Sequence, residues 1–350
     1  MKKTVTFGEI MLRLSPPGHD RLFQSRHLEA SFGGGEANVA LSLAGFGLES
    51  HYVTRLPENA VGDAALRVLR GEGVRVDHVI RGGDRLGLYF AETGAAQRPP
   101  LVLYDRAHSA ITELEPDAVP WARIFQGAHW FHMTGITPAL GEKPAAATRL
   151  ALAAAKRAGV TVSLDVNYRR KLWPPEEAQR VLRPLLEFVD ILIANEEDIE
   201  LALGIPVPAT DMSGSLTGVD GYRWVSERVA SDYGIQILAM TVRERTSASE
   251  HAFTGLLYEH ASTTLFQAAR HAIGVVDPIG AGDSFAAGLI HALVTGRSGD
   301  RALSFAVAAG ALKHSIPGDY NRVSVAEVDQ LVASSPIGRG ASSSRRTSGG

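Results

Sequence analysis

The sequence predicts an α/β fold, with a doubly wound, mostly parallel sheet, helices on both of its faces and a small β-sheet lid. The first observation is that three apolar runs follow helical patterns, with helices near 143–157, 175–188 and 221–233 and runs at 160–164, 189–194 and 235–240. Apolar strands separated by helices are typical of a parallel sheet that is covered on both faces. With 350 residues, the chain is long enough for one such domain, which we place at 1–335.

The second observation is a departure from this alternation in two segments, about 12–32 and 86–106. The first segment is mostly polar and contains a Pro-Pro-Gly turn at 16–18. The second has alternating apolar residues on both sides of a turn near 94–100. Period-two alternation is typical of antiparallel strands with two distinct faces. We therefore expect the two segments to form a small sheet that lies over the core as a lid.

The composition, 45% hydrophobic and 21% charged, is that of an ordinary globular protein. The net charge of −3 creates no overall field that would attract nucleic acid or an anionic membrane. The absence of cysteine excludes disulfides, thiolate metal sites and a cysteine nucleophile. No apolar stretch is long enough for a signal peptide or a membrane span, so we expect a cytoplasmic protein without nucleic-acid or membrane partners. From Gly338 onward one alanine is the only apolar side chain, which predicts a disordered tail over about 336–350.

The run Asp277-Pro278-Ile279-Gly280-Ala281-Gly282-Asp283 carries the first sign of a chemical function. We expect a strand to end at Asp277 and a helix to begin at Asp283. Glycines between them let backbone N–H groups converge on an anion, and the helix N-terminus adds further N–H groups and partial positive charge. The helix dipole favours the ionised form of Asp283. Such a carboxylate is suited to accept a proton from a hydroxyl that attacks phosphorus.

The same residues allow plainer explanations when they are considered alone. Asp283 is also a good helix N-cap, and the glycines also suit a tight turn. The run 282–285 resembles the serine block of GDSL-type esterases, although that block lies near the N-terminus in those enzymes and no Asp-x-x-His follows it here. A dinucleotide fingerprint is disfavoured, because no Gly-x-Gly-x-x-Gly follows the first strand.

A second glycine run, Gly33-Gly34-Gly35-Glu36-Ala37-Asn38, precedes a predicted helix early in the chain. Together, the early and late runs resemble the two signatures of the ribokinase-like (PfkB) carbohydrate kinases, in the same order and at a similar separation. The resemblance covers about residues 3–333. It implies a ribokinase-like fold and direct transfer of the γ-phosphate of ATP, with Mg²⁺, to a sugar hydroxyl. Because the lid often mediates dimers in this family, it also implies a homo-oligomer.

The resemblance assigns roles to both runs. It implies that Asp283 is the general base, and it matches the anion hole to Gly280, Ala281 and Gly282. The family positions that contact the sugar correspond to Gly33, Gly34 and Asn38. The absence of side chains at the two glycines would let sugar hydroxyls approach the backbone.

Three further runs, 104–110, 165–173 and 313–319, look like those of the family members that phosphorylate 2-keto-3-deoxygluconate on its 6-hydroxyl. A sugar acid carries a carboxylate, and the planar fork of arginine binds a carboxylate with fixed geometry. Asp165, Asn167 and Arg169 alternate past the end of a parallel strand, where such sheets bind ligands, and they share one face if that segment is extended. In the relatives, the residues that face the sugar acid correspond to Tyr89, Tyr104, Arg106 and Arg169. Either arginine could instead be a solvated surface charge, and a tyrosine on a strand usually packs in a core or an interface.

The nucleotide side follows from the strand ends and from a later loop. Asn195 and Thr241 follow apolar strands, and the resemblance places Arg243 near the phosphates. The stretch 308–318 resembles the loop beside the adenine, which nominates Lys313 and Gly318 as ATP contacts. The three histidines His129, His132 and His314 form no recognisable metal-binding motif, so we interpret them as structural.

Two departures from the family pattern affect the expected ions. The second signature usually begins Asp-Thr-Thr-Gly, but here it reads Asp277-Pro278-Ile279-Gly280. Backbone carbonyls near this loop often hold K⁺ in relatives, so Asp277 marks an expected monovalent-ion site. The family motif Asn-x-x-Glu, which supports Mg²⁺ through water, ends in Asp198 in this chain. We expect Asp198 to keep that water-mediated role.

Two alternatives to a 2-keto-3-deoxygluconate kinase stay open from the sequence. One is a fructokinase or another sugar kinase of the same fold. The other is a regulator that binds sugar or nucleotide without catalysis, although such a protein would have no need to keep Asp283 and the complete glycine loop.

Overall fold

The structure, a computed structural model, describes residues 1–207 and 219–335. The predicted tail at 336–350 lies outside the described residues. The strands are β1 (Lys3–Phe7), β2 (Met11–Ser15), β3 (Glu29–Gly33), β4 (Glu49–Val53), β5 (Arg55–Leu56), β6 (Ile80–Arg81), β7 (Leu88–Glu92), β8 (Leu101–Asp105), β9 (Ala128–Thr134), β10 (Thr161–Asp165), β11 (Ile191–Ala194), β12 (Ile237–Arg245), β13 (Glu250–Glu259), β14 (Thr264–Gln267) and β15 (His271–Gly274).

The α-helices are α1 (Gly35–Gly45), α2 (Ala60–Gly71), α3 (Trp121–Ile124), α4 (Glu142–Arg157), α5 (Pro175–Leu185), α6 (Val219–Tyr233), α7 (Ala281–Val294), α8 (Gly299–Lys313) and α9 (Val325–Ser334). Short helical turns lie at Ala110–Glu113, Pro116–Ala118, Thr137–Leu140, Leu186–Phe188 and Asp198–Ala202. Among the helices of the described residues, none combines the length and the apolar character that a membrane crossing requires.

The central sheet confirms the predicted fold class. Its strand order is β14-β13-β12-β11-β10-β9-β1-β4, and β15 also pairs with β13. The strands from β12 to β4 run parallel, while β13 is antiparallel to β12, and β14 and β15 are antiparallel to β13. The parallel strands are apolar because helices cover both faces of the sheet.

Strand β11 shows how each face is filled. Leu192 packs into the core cluster that includes residues of α4, α5 and α6. Its neighbours Ile191 and Ile193 point to the opposite face, where they join the cluster formed with α7 and α8. All three are buried, as expected for successive side chains of a strand that has no solvent-exposed face.

The small sheet has the strand order β3-β2-β7-β8 and supplies the predicted lid. Its strands fall in the two segments that break the βα alternation. The hairpin β7–β8 is antiparallel, as the period-two pattern predicted, and so is the hairpin β2–β3, whereas the central pair β2–β7 is parallel. The first hairpin ends at Gly33, and residues 34–87, which include α1, β4 and α2 of the main domain, connect it to β7, which then runs in the same direction as β2.

The strand before the late glycine run ends earlier than the sequence suggested. Strand β15 stops at Gly274, whereas we expected a strand to continue to Asp277. The backbone N–H groups of Val276 and Asp277 instead donate to the carbonyl of His314, at 2.8 and 3.1 Å. This segment therefore leaves the sheet and packs against the end of α8.

Candidate active site

A cavity of about 780 Å³ lies between the lid, the first turns of α1 and α7, and the carboxyl ends of β10, β11 and β12. This volume is in the range of small-molecule sites. The location follows from the topology, because open parallel sheets bind ligands beyond the carboxyl ends of their strands. The cavity walls include residues from both glycine runs, which lie about 245 positions apart along the chain.

The late glycine run forms the start of α7. Gly280 is the residue before the helix, with φ of 83°, and no side chain caps the helix at this position. A Cβ atom on Gly280 would lie 2.0 Å from the carbonyl oxygen of Asp319. Both the left-handed backbone and this close approach require glycine. The first N–H groups of α7 have no carbonyl partners within the helix, which makes them suitable donors for an anion.

Asp283 lies in the first turn of α7, half-buried in the cavity wall. One of its oxygens accepts a hydrogen bond of 2.7 Å from the side-chain amide of Asn38. Burial raises the pKa of Asp283 to about 6, against the opposing effects of the Asn38 amide and the Arg169 guanidinium. The expected stabilisation of the ionised form by the helix dipole is therefore outweighed by loss of water. A carboxyl with a pKa near 6 is ionised at neutral pH and is still basic enough to accept a proton.

The early glycine run positions Asn38. The backbone N–H of Gly34 donates to the Asn38 side-chain oxygen at 3.3 Å, which turns the amide group toward Asp283. A Cβ atom on Gly34 would lie 2.0 Å from the carbonyl oxygen of Glu9. On Gly33 it would lie 2.0 Å from a carboxylate oxygen of Asp319. Packing alone thus requires both glycines. Gly34 and Asn38 line the cavity, whereas Gly33 lies behind its wall.

Glu36, inside the same run, is a buried carboxyl that we had not singled out. One of its oxygens accepts hydrogen bonds from the N–H of Thr134 and from the hydroxyls of Thr134 and Thr137. Burial raises its pKa, and these bonds oppose the rise. Because Thr134 ends β9, Glu36 joins the start of α1 to the central sheet. An acidic residue inside a glycine run was the available signal for this role.

The lid contributes aromatic rings and a paired arginine. Tyr89, Tyr104 and Arg106 all line the cavity. Arg106 forms an ion pair with Glu9 and lies 5.4 Å from the ring centroid of Tyr104. Tyr89 is buried, and its hydroxyl donates to a carboxylate oxygen of Asp319. Arg106 therefore already has a counter-ion, and the Tyr89 hydroxyl already has an acceptor.

Arg169 is placed differently from Arg106. It lines the cavity, and its guanidinium donates to the carbonyl of Tyr168 at 3.1 Å. Across residues 1–207 and 219–335, no carboxylate forms an ion pair with it. The segment that carries it is not extended, because Asn167 has φ of 44°. The condition under which Asp165, Asn167 and Arg169 would share one face is therefore not met, although all three line the cavity.

Carboxyl groups collect at the ends of β10 and β11. Burial raises the pKa of Asp165, and nearby Asp198 and Asp283 raise it further. Asp198 has a pKa raised to about 6, mainly by burial. Its two oxygens accept hydrogen bonds from the N–H groups of Tyr168, at 2.8 Å, and Asn195, at 3.0 Å. The side chain of Asn195 accepts in return from the N–H of Asp198. The aspartate that replaces the family's glutamate thus holds two loops at the cavity rim.

The described residues contain no cluster of three or more His, Cys, Asp or Glu side chains arranged to hold a metal ion. Mg²⁺ keeps several waters and is commonly bound through one or two carboxylates together with substrate phosphates. Asp165 and Asp198 line the cavity and offer oxygens for that mode of binding. The histidines agree with a structural role where they are buried: His132 lies 2.8 Å from the Ser163 hydroxyl, and His314 lies 2.8 Å from the Gly310 carbonyl.

Positive charge accumulates at the far end of β12. Arg243 lines the cavity together with Arg245, Thr241 and the Asn195 loop. Burial, together with the like charges of Arg245 and Arg169, lowers the pKa of Arg243 to about 10. Its buried Nε atom has no hydrogen-bond partner among the described residues. A group of arginines that repel one another and have an unsatisfied donor is suited to bind an anion.

Two residues nominated as ATP contacts lie outside the cavity. Lys313 is fully buried, and its ammonium donates to the backbone carbonyls of Asp277 and Ile316. The N–H of Gly318 donates to the carboxylate of Asp277 at 3.0 Å. The structure therefore does not bring the Lys313 side chain to a nucleotide, because its ammonium is held behind residues 277–283, which we call the phosphate loop after the role expected for them. Gly318 likewise contacts the loop rather than the cavity.

Arg13 connects the lid to the phosphate loop. This buried residue of β2 forms ion pairs of 2.7 Å with both Asp277 and Asp319. Burial lowers the pKa of its guanidinium, but Asp319 and Asp277 outweigh that effect, so the pKa is raised overall. With Tyr89, which also donates to Asp319, two lid strands are hydrogen-bonded to the segments around the start of α7. No sequence motif indicates this group, because its members are far apart along the chain.

Comparisons with known proteins identify the family of the chain. The model of the pfkB family of carbohydrate kinases matches residues 1–324. A solved structure of 2-dehydro-3-deoxygluconokinase from Thermotoga maritima is 46% identical with a TM-score of 0.91, and the match covers 95% of this chain and 100% of that one. The 2-dehydro-3-deoxygalactonokinase of Haloferax volcanii is 34% identical over 95% of this chain and 98% of its own. The 2-dehydro-3-deoxygluconokinase of Bacillus subtilis is 29% identical over 91% of both chains.

Proposed function

The chain belongs to the pfkB family of carbohydrate kinases and is an ATP-dependent sugar kinase, and we propose that its acceptor is 2-keto-3-deoxygluconate, phosphorylated on the 6-hydroxyl. The observation that carries this proposal is the placement of Asp283. Its carboxyl lies at the start of α7 and accepts a hydrogen bond from Asn38. The same cavity is lined by Arg169, whose guanidinium forms no ion pair with a carboxylate among the described residues. Transfer of phosphate to a sugar acid requires a base, a helix start that binds an anion, and a cation for the carboxylate.

In the proposed reaction, Asp283 accepts the proton of the 6-hydroxyl as the hydroxyl oxygen attacks the γ-phosphorus of ATP, the bond from that phosphorus to the β–γ bridging oxygen breaks, and ADP leaves. The N–H groups at Gly280, Ala281 and Gly282 stabilise the negative charge on the transferred phosphoryl group. Asn38 holds the base in position through its 2.7 Å hydrogen bond. When bound with ATP, Mg²⁺ neutralises phosphate charge, and Asp198 and Asp165 are the carboxylates we assign to it through water.

The sugar carboxylate is assigned to Arg169. Its guanidinium has no acidic partner among the residues that the structure describes, whereas Arg106 is already neutralised by Glu9. Tyr104, which is partly exposed, provides an aromatic surface for the sugar beside Arg106. The phosphates of ATP are assigned to Arg243, with Thr241 and Asn195 beside it. This division assigns one arginine to the carboxylate of the sugar acid and one to the phosphates of ATP.

The test is a coupled assay of ADP release with ATP and a panel of acceptors that includes the sugar acid, fructose and ribose. Asp283→Asn should lower kcat by roughly 10²- to 10⁴-fold, the usual contribution of a general base, while sugar binding by calorimetry persists. Arg169→Ala should raise the KM of the sugar acid far more than that of fructose. Near-normal turnover of Asp283→Asn would remove the base assignment, and equal losses for acid and neutral sugars would remove the carboxylate assignment.

A second acceptor, 2-keto-3-deoxygalactonate, is favoured by the 34% identity to the Haloferax volcanii enzyme. The two sugar acids differ only in the configuration of one carbon, so both present the same carboxylate and the same terminal hydroxyl. The panel should therefore contain both epimers. A ratio of kcat/KM values near one would indicate a dual-specificity kinase, and fructose as the better acceptor would instead support the fructokinase alternative.

Assembly through the lid stays a prediction. The outer strand β8 presents Leu101 and Leu103, both partly exposed apolar residues, at the free edge of the small sheet. An exposed strand edge with apolar side chains is suited to pair with a second chain. Light scattering of the purified protein would measure the oligomeric state.

A further inference from the structure

Lys313, the last residue of α8, lies behind the phosphate loop and has no solvent exposure. Its ammonium donates to the carbonyl of Asp277 at 3.2 Å and to the carbonyl of Ile316 at 3.0 Å. An ammonium carries three donors and is unfavourable to bury unless acceptors surround it. Backbone carbonyls are the ligands that a monovalent cation also uses. Lys313 thus places one positive charge in a site formed by backbone oxygens.

The charges around Lys313 balance. The carboxylates of Asp277 and Asp319 both favour its charged form, although burial has the larger effect and lowers its pKa. The guanidinium of Arg13 bridges the same two carboxylates. Two buried anions are therefore matched by two buried cations. Removal of the lysine charge would leave one net negative charge and two carbonyls without a partner.

The oxygens that Lys313 joins belong to the segments that set the position of the phosphate loop. Asp277 also accepts hydrogen bonds from the N–H groups of Ile279 and Gly318, each at 3.0 Å. The carbonyl of Asp319 lies against Gly280 so closely that no side chain fits there. The start of α7 therefore packs against segments that the Lys313 ammonium joins through its hydrogen bonds to Asp277 and Ile316.

The family resemblance leads us to expect a monovalent ion held by carbonyls beside Asp277. The residues present do not fit a free ion there, because the Asp277 carbonyl and its neighbour at Ile316 already bind an ammonium that is part of the chain. We propose that Lys313 is a positioning residue that acts as the built-in monovalent cation of the phosphate loop, so that phosphoryl transfer requires no added K⁺. The proposal rests on the kinase activity and not on the identity of the acceptor.

The first experiment uses the wild-type enzyme. Turnover is measured with the Tris salt of ATP in tetramethylammonium chloride, and then with K⁺, NH₄⁺ or Na⁺ in its place at equal ionic strength. We expect the same kcat in every salt, and the same melting temperature with and without K⁺ in the absence of substrates. Activation by K⁺ of about tenfold or more, equivalent to ~1.4 kcal/mol, would overturn the proposal.

The second experiment makes the enzyme dependent on a free cation. Lys313→Ala removes the charge and the side-chain volume, so kcat in tetramethylammonium should fall by roughly 100-fold, the size of a lost electrostatic contact to the transition state. K⁺, NH₄⁺ or methylammonium should restore much of that loss and raise the melting temperature, since they fit where tetramethylammonium does not. Lys143→Ala, which removes an exposed lysine paired with Glu115, is the control and should show neither effect.

Two results with Lys313→Ala would contradict the proposal. One is normal turnover in tetramethylammonium, which would make the ammonium dispensable. The other is a folded variant whose lost turnover no cation restores, which would indicate a purely packing role. Lys313→Met keeps the volume and should lose activity without rescue, because no space is left for an ion. If neither variant folds, the wild-type salt series decides the question alone.

Discussion

The replacement Asn38→Ala tests the chemistry at Asp283 more sharply than loss of the carboxylate itself. The Asn38 amide donates to Asp283 at 2.7 Å and favours the ionised carboxylate, so it holds down a pKa that burial raises to about 6. Removal of the amide leaves the base in place but makes its proton harder to lose. The acid limb of the pH dependence of kcat/KM should therefore move to higher pH in the variant.

The expected shift follows from the strength of one hydrogen bond to a charged group. Such bonds contribute about 1.5–3 kcal/mol, which corresponds to roughly one to two pH units at 1.36 kcal/mol per unit. Asp283 is only half-buried, and a water molecule can replace part of the lost bond. We therefore expect the smaller value, a limb near pH 7 instead of near pH 6, or a shift of about one unit. The variant should lose much more activity at pH 6 than at pH 8.5 for this reason.

The assay is a series of initial rates at low sugar concentration from about pH 5 to 9. Asn59→Ala, which removes the side-chain cap of α2 away from the cavity, is the matched control and should leave the limb in place. Asp198 also has a pKa of about 6, but its hydrogen-bond partners do not include Asn38. An unmoved limb in Asn38→Ala would thus refute Asp283 as the titrating group. Such a result would leave Asp198 as the candidate.

Three further predictions concern charge and packing around the cavity. Arg243→Met should raise the KM for ATP about tenfold, or ~1.4 kcal/mol, with little change in the KM for sugar. The reason is that Arg245 and Arg169 repel the charge of Arg243 until phosphate binds, and equal effects on both KM values would contradict it. Arg13→Met should lower the free energy of unfolding, measured in urea, by about 3–5 kcal/mol, since the variant leaves Asp277 and Asp319 buried with one fewer cation. A loss below about 1 kcal/mol, typical of a surface ion pair, would contradict this prediction. Gly280→Ala should abolish turnover or folding, because the new Cβ atom would lie 2.0 Å from the Asp319 carbonyl oxygen and the φ of residue 280 is 83°. In the control Gly274→Ala, the new Cβ atom meets no atom within 4 Å, so this variant should behave as wild type. An active Gly280→Ala enzyme would show that the loop can move away from Asp319.

The sheet, the lid and the central pair of the site could be predicted because their signals are local. Apolar runs between helical patterns identified β10, β11 and β12 to within a few residues, except where β12 extends past its predicted end. The two glycine runs identified Asp283 and Asn38, and the family resemblance indicated that they belong to one site. Their direct hydrogen bond was a consequence of the fold that neither run shows by itself.

The rest depended on contacts that no local pattern reveals. Arg13 looked like one polar residue in a polar segment, because its partners Asp277 and Asp319 are distant in the sequence. The turn at Asn167 was missed because period-two reasoning assumes an extended chain, and asparagine is among the residues that tolerate a positive φ. Lys313 was assigned to ATP from its loop, whereas its burial is set by the carbonyls of two separate segments.

The ion pairs of Arg13 also have a consequence for synthesis of the protein on the ribosome. Arg13 is made early, but its two partners follow 264 and 306 residues later. Until those residues emerge from the ribosome, burial of the Arg13 guanidinium would leave its charge unpaired. Packing of β2 in its final position is therefore unfavourable at that stage. Domains generally fold as units during synthesis. We therefore expect the first hairpin of the lid to reach its final packing late, after both aspartates have been synthesised.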